Sequence, residues 1–376
     1  MNELNTIKQF FTAIGCRFQC YDMGRLIQPI EHQTFIDFEH TRIAWNSPFM
    51  QHAWLALIFW KQISETSTEQ NHTVWFLKLP LDEQAKLNLA ARDDFLRRLI
   101  GALTNFLENS LQQQDNNQGE DLHSLDNAMK DNPYGFQPKQ EQMANFHAIV
   151  HKHLALPASQ YYQPAQKYFF GIDGFEHWSQ LGFQGIADVA ARMDEKYQGK
   201  NNQQLIAQAI AHLPASPFQA LGNCLENHIV SRQLTRAVLD RVIRDQEREQ
   251  NEKEPISIAI YIACIRATAQ ASDLNLQAQL LTRILSSSAR SDLEILATIS
   301  ARCWQQLCQA QILSLFLEAL ARTEAYQNQG QGAFNAIMSD LMFIPEMRHT
   351  ILQAFRSSER SERLAQAIGT FLNQIG

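Results

Sequence analysis

IAIYIACIRATA, residues 258–269, overlaps an expected helix over 256–267 that is apolar all round, and two other stretches repeat it in register. FQALGNCLENH (218–228) and LATISARCWQQL (296–307) carry Cys224 and Cys303 where it carries Cys264, at intervals of 40 and 39 residues. A helix that is apolar all round belongs in a buried layer, and self-similarity at a fixed interval marks stacked helical hairpins. Each cysteine helix is followed by a partner with helical spacing: Leu234, Val238 and Val242; Leu276, Leu280 and Ile284; Ile312, Phe316 and Leu320. The three cysteines therefore share one core position, where a small apolar side chain suits close helix packing. An interval near 40 resembles the helical pairs of HEAT and armadillo repeats more than the roughly 34-residue tetratricopeptide unit. The pattern predicts an all-α, HEAT-like helical-repeat domain, an α-solenoid, over 139–376, with further helices at 333–343, 346–356 and 361–374.

Outward from that array, toward the amino terminus, the periodicity changes. Between Gly15 and Gly24, Cys16, Phe18 and Cys20 alternate with Arg17, Gln19 and Tyr21, the period of a half-buried strand. Residues four apart on a strand lie roughly 13 Å apart, beyond disulfide or shared-metal reach, so Cys16 and Cys20 read as core thiols. Asp22-Met23-Gly24-Arg25 reads as a tight turn with a positive φ at Gly24, leading to a short strand at Leu26–Gln28 that Pro29 stops. An exposed functional pair of Asp22 and Arg25 is the alternative. Trp54–Trp60 and Thr73–Leu79 form a second hairpin around the polar loop QISETSTEQN (62–71).

In the last of these strands both faces are apolar: Val74 and Phe76 on one, Trp75, Leu77 and Leu79 on the other. One face must meet helices, and the other meets further core or a protein partner. Trp54, Trp60, Trp75 and Lys78 are the candidate binding residues of that partner surface. An initial helix over Leu4–Ile14 and a long amphipathic helix complete an α+β domain over 1–111. The long helix is capped at Asp82 and carries apolar residues at 89, 96, 99, 103, 106 and 107. Residues 112–138, rich in Gln, Asn and Asp, read as a polar linker.

Composition bounds the rest. The chain has 376 residues, 45% hydrophobic and 19% charged, enough for two folded bodies and far from the disordered class. A formal charge of -7 offers no basic footprint for nucleic acid. MNELNTIKQFFTAIG lacks the basic start and apolar run of a signal peptide. The most apolar run, AWLALIFW at 53–60, is far short of the roughly 20 residues of a spanning helix. A soluble cytoplasmic protein with reduced thiols is expected.

Motifs of chemistry are scarce. The sequence holds no GxSxG, GxGxxG, Walker loop, CxxC or HExxH. His147 and His151, four apart on an expected helix over 140–154 with His153 beyond, are the nearest metal candidates; neither an intervening acid nor a third ligand supports them. SQYYQPAQKYFFGIDGFEHW (159–178) carries one lysine, too little charge for a base-stacking platform, and reads as the first cap of the array. RDQEREQNEKE (244–254) reads as a solvated helix end.

Several segments taken together resemble an uncharacterised family of gammaproteobacterial cytoplasmic proteins of unknown function: GCRFQCYDMGRLIQPI (15–30), VWFLKLPLDEQ (74–84), NPYGFQP (132–138), LPASQYY (156–162) and ARCWQQL (301–307). They span most of the chain. The resemblance implies a bacterial cytoplasmic protein and transfers no reaction, cofactor or catalytic residue. The sequence thus points to a non-enzymatic protein–protein interaction or adaptor role, because a solenoid offers extended surface. One alternative is an enzyme or small-ligand binder with a site in the cleft between domains. The other is weak nucleic-acid binding through Arg232, Arg236, Arg241 and Arg244, a field diluted by Asp240, Asp245 and Glu247. No membrane contact is expected.

Overall fold

A computed structural model describes residues 5–61, 72–113, 129, 132–253, 255–327 and 331–375. The chain divides into two compact units, Met1–Pro138 with Phe343–Pro345, and Lys139–Met342 with Glu346–Gly376.

The first unit is an antiparallel sheet in the order β2-β1-β3-β4, built from β1 (Cys16–Asp22), β2 (Gln28–Ile30), β3 (His52–Lys61) and β4 (Thr73–Pro80). Cys20 pairs with Ile30 and Leu57, and Leu57 with Trp75, which puts Cys16, Cys20, Leu55, Phe59 and Leu77 on one face. Three helices cover that face: α1 (Ile7–Ala13), α2 (His32–Glu39) and α3 (Leu89–Gln113). Phe10 and Phe11 of α1, Phe35 and Phe38 of α2, and Phe95 and Leu99 of α3 join the strands in one core.

A buried acid ties the three helices together. Glu39, without exposed surface, accepts from the Ile7 and Lys8 N–H groups at 2.6 and 3.3 Å and so caps α1 from 32 residues away. Its carbonyl takes the Arg92 guanidinium at 2.9 Å.

Several local expectations change. The second strand includes Pro29, which an edge strand tolerates because no neighbour needs its N–H. Gly24 is not among the positive-φ residues; a Cβ there would lie 3.2 Å from an Asp22 carboxylate oxygen, so the position is small for lack of space. Asp82 does not start the long helix. Its carboxylate closes a turn on the Gln84 and Lys86 N–H groups, with Ala85 at φ 58°, and Asn88 caps the Ala91 N–H instead. The loop 62–71 and most of the expected linker, 114–128 and 130–131, lie outside the described residues. The end of that stretch pairs with the sheet: Lys78 N–H donates to the Tyr134 carbonyl at 2.7 Å and Phe136 N–H to the Phe76 carbonyl at 3.1 Å, covering the β4 edge.

Among its described residues the second unit is helical apart from a hairpin of two-residue strands, β5 (Lys196–Tyr197) and β6 (Lys200–Asn201), and a bridge between Val230 and Ala271. Its helices fall into two rows. One holds α4 (Gln140–His153), α6 (Phe183–Ala191), α8 (Ala215–Leu225), α10 (Ile258–Ala267) and α12 (Leu293–Arg302), each packed on the next. The other holds α5 (Tyr162–Phe170), α7 (Asn202–Ala209), α9 (Arg232–Glu252), α11 (Leu274–Leu285) and α13 (Ala310–Gln327), likewise in succession. Helices α14 (Gly332–Phe343), α15 (Pro345–Phe355) and α16 (Glu362–Ile375) follow, and α16 packs on α13.

Cys224, Cys264 and Cys303 are buried, and burial raises all three thiols, Cys303 to about 12. Cys303 sits just past the end of α12, which stops at Arg302 and gives way to a 3₁₀ turn at Trp304–Cys308. Within the first row α8 and α10 approach closely: a Cβ on Gly222 would stand 2.8 Å from the Ala263 carbonyl oxygen. At the same end Glu226 takes Arg266 at 2.5 and 3.1 Å and Arg302 at 2.9 Å, joining three successive hairpins by one carboxylate. Among the described residues no helix is long and apolar enough to cross a membrane.

Candidate functional site

The four residues expected to bind a partner are separated by the sheet. Trp75 points into the helix-covered core, 2% exposed, with its ring against Phe10, Phe11 and Phe59. A side chain there has no surface to give a partner, because alternation in β4 puts Trp75 on the Leu77 and Leu79 face. Trp54 and Lys78 are cross-strand neighbours on the opposite face, with the Lys78 ammonium 5.1 Å from the Trp54 ring centre. Phe136 closes on Trp54 at 4.8 Å and on Phe76 at 5.7 Å between ring centres. Trp60 is half-buried at the far end of β3. That face is not an open groove, since Tyr21, Ala56 and Ile58 at its centre have no exposed surface.

Asp22 and Arg25 are not an exposed pair. Arg25 is 1% exposed and donates from Nε to the Pro48 carbonyl at 2.9 Å. The Asp22 carboxylate accepts from the Gly24 N–H at 2.8 Å and from the Ser47 hydroxyl. Burial outweighs those bonds and pushes its pKa up to about 6.

In the helical unit the histidine rings at 147 and 151 stack with centres 6.4 Å apart, and His151 Nδ1 lies 3.2 Å from the Pro157 carbonyl oxygen. No group of three potential metal ligands forms among the described residues. The arginine series on α9 does not form a basic strip. Arg241 is buried against Asp245 and donates to the Ile210 and Leu213 carbonyls, Arg244 reaches the Ala211 carbonyl, and Arg232 lies 3.3 Å from Asp273. Tyr162 anchors a second polar knot. Its hydroxyl contacts Glu195 at 2.8 Å and receives Asn202 and Gln166, and burial lifts its pKa to about 12. The knot fastens α5 to α7 and to the segment that follows α6, where Asn202 also donates to the Arg192 carbonyl at 2.8 Å.

An open groove lies in the second row. Of about 840 Å³, it runs between α9, α11 and the start of α13. Its floor is apolar, from Leu239, Ile243, Ala278 and Ile312, and its walls are amides and hydroxyls, including Gln246, Gln250, Gln279, Thr282 and Ser287. The walls are cross-linked between helices: Arg283 donates to Gln246 Oε1 at 2.9 Å, and the Ser288 hydroxyl to Glu249 at 2.9 Å.

Tyr261 of α10 is buried, 1% exposed, and lies outside the lining of the groove, with Gln246 and Ser287 of the groove walls as neighbours of its hydroxyl. Burial raises its pKa, and those two side chains oppose the rise.

The sequence reading missed this site. It set aside the run at 244–254 as solvated, yet Gln246, Glu249 and Gln250 of that run form one wall. A usable signal is present in the register: Gln246 meets Arg283 and Glu249 meets Ser288, each pair separated by nearly the interval that relates the cysteines.

A family model described as "Protein of unknown function (DUF3549)" matches residues 2–372, and the chain belongs to that family. No curated protein and no solved structure matches it.

Proposed function

We propose that this member of the family is a non-enzymatic protein-binding scaffold of the bacterial cytoplasm, an α+β domain joined to a HEAT-like α-solenoid over 139–376. Two regular rows of helices with cysteines in register support the solenoid reading. The observation that carries the functional reading is the groove of the second row, apolar in its floor and lined by paired donors and acceptors. Such a mixture suits a partner's polar surface better than bond-breaking chemistry, which needs convergent, perturbed acids and bases. Trp54, Trp60 and Lys78, at the rim of the sheet, are the first unit's proposed contribution to partner contact. Affinity purification of the full chain under gentle lysis tests the scaffold reading. A reproducible stoichiometric partner is expected, and repeated recovery of the bare chain would defeat it.

A further inference from the structure

We propose that the helical unit carries a second site, a pocket behind the 156–160 loop that binds a neutral polyhydroxylated small molecule of the sugar or polyol class. The pocket is separate from the groove of the second row, and its occupant does not depend on the scaffold reading.

It encloses about 580 Å³, within the range of small-ligand sites, between that loop, the first turn of α5 and the segment after α6. A buried ion pair fixes its rim. Asp188, 1% exposed, accepts the Ser159 N–H at 3.0 Å, and Arg192, 3% exposed, donates to the Leu156 carbonyl at 3.1 Å, so the loop is pinned near both ends. The pocket is therefore shaped before anything enters it.

Arg192 also lines the pocket, with donors to spare. Of the five N–H groups of a guanidinium, one goes to Asp188 and one to Leu156, while Nε stands 3.4 Å from Glu195 Oε1 in an ion pair outside hydrogen-bonding geometry. Glu195 Oε2 takes the Tyr162 hydroxyl at 2.8 Å. Among the described residues Glu195 Oε1 has only ion-pair contacts, to Arg192 and, at 3.7 Å, to Lys152. A donor and an acceptor thus stand side by side in one pocket, each short of a hydrogen bond.

Charge and spacing then choose the ligand. Arg192 is balanced by Asp188 and Glu195, and Lys152 by Asp194 at 2.9 Å, so neither a carboxylate nor an ammonium meets an unopposed counter-ion. The occupant is neutral and offers both a donor and an acceptor. An amide holds its oxygen and nitrogen roughly 2.3 Å apart, as its bond lengths dictate. Hydroxyls on neighbouring staggered carbons lie roughly 2.9 Å apart, closer to the 3.4 Å between Nε and Oε1. One hydroxyl oxygen accepts from Arg192 while the next donates to Glu195. The Gln160 and Gln163 amides and the Ser159 hydroxyl continue that chemistry round the pocket, and Leu156 and Pro157 supply an apolar side for the ligand's carbons.

Saturation-transfer NMR on the purified full chain tests this, with glucose, galactose, mannose and myo-inositol as probes and glucuronate, glucosamine and N-methylacetamide as charged and amide comparators. At least one of the four neutral probes should receive saturation at its C–H protons and bind more tightly than every comparator. Glu195→Gln keeps the side chain's shape and should weaken that probe about tenfold; Ser159→Ala, which retains the N–H bond to Asp188, should weaken it about threefold. Gln246→Ala, in the groove of the second row, should leave it unchanged. Absence of transfer to all four probes, parent-like binding by Ser159→Ala and Glu195→Gln, or equal weakening by Gln246→Ala would each overturn the proposal. Should Glu195→Gln fail to fold, parent-like binding by Ser159→Ala alone overturns it. Equal binding of glucuronate or glucosamine would show that the pocket reads a charge, and equal binding of N-methylacetamide that it reads an amide, and either result also defeats it.

Discussion

Replacing Trp75 by alanine separates a core role from a binding role. Truncating the indole forfeits most of about 200 Å² of buried surface, worth about 5 kcal/mol at roughly 25 cal/mol per Å². Against that, the indole N–H is buried without a hydrogen-bond partner, and its removal returns about 1–3 kcal/mol. A net loss of about 3 kcal/mol follows, within the range of large-to-small core changes. The assay is alkylation of Cys20 in the full chain, read by peptide mass spectrometry. Cys20 is 3% exposed in the same core, and burial holds its thiol well above the ordinary range, so it reacts only when the unit opens. Loss of about 3 kcal/mol should speed labelling about 150-fold in Trp75→Ala. Trp75→Phe keeps an aromatic ring against Phe59 and Phe11 and removes the unpaired N–H, so it should stay within about tenfold of the parent. If Trp75→Ala labels Cys20 no faster than the parent protein does, the core assignment of this side chain is wrong.

Three further outcomes follow from particular contacts. Asp22 titrates near 6 in the fold against an ordinary value of 3.8, so its favourable contribution is present below about pH 4 and lost as pH rises through 6. The first unit of the parent should therefore lose up to about 3 kcal/mol across that window relative to Asp22→Asn, measured by denaturant titration at a series of pH values. Glu226→Gln leaves Arg266 and Arg302 facing each other without a carboxylate; a loss of about 2–3 kcal/mol in the helical unit's denaturation is expected, and a neutral result would show the cluster is solvated away. Gly369→Ala, with nothing within 4 Å of the new Cβ, should stabilise α16 by up to about 1 kcal/mol. Gly222→Ala should destabilise by about 1–3 kcal/mol, and thermal melts that rank the two the other way would contradict the close approach of α8 and α10.

What the sequence reveals and what it conceals divide along a physical line. Alternation at Cys16, Phe18 and Cys20 and the 3.6 period of the helices record which side of one element is dry, and that information is local. The start of the long helix is not local in the same way. Asp82 and Asn88 are both acceptable caps, and the choice falls to Asn88 because the Asp82 carboxylate is spent on the Gln84 and Lys86 N–H groups. Helix α2, absent from the sequence reading, owes its place to Phe35 and Phe38 in the core and to Glu39 reaching α1, contacts made with segments far away along the chain.

The groove is hidden for a further reason: its walls are polar, and polar positions carry no periodic signal of their own. They inherit one from the array. If residues about 40 apart on the cysteine helices occupy equivalent positions, residues about 40 apart on the following helices stand side by side as well. Gln246 with Arg283 and Glu249 with Ser288 obey that rule, as do Glu226 with Arg266 in the first row and Asn335 with Gln374 at the last helix. The spacing that marks the buried layer therefore also indexes the wet one.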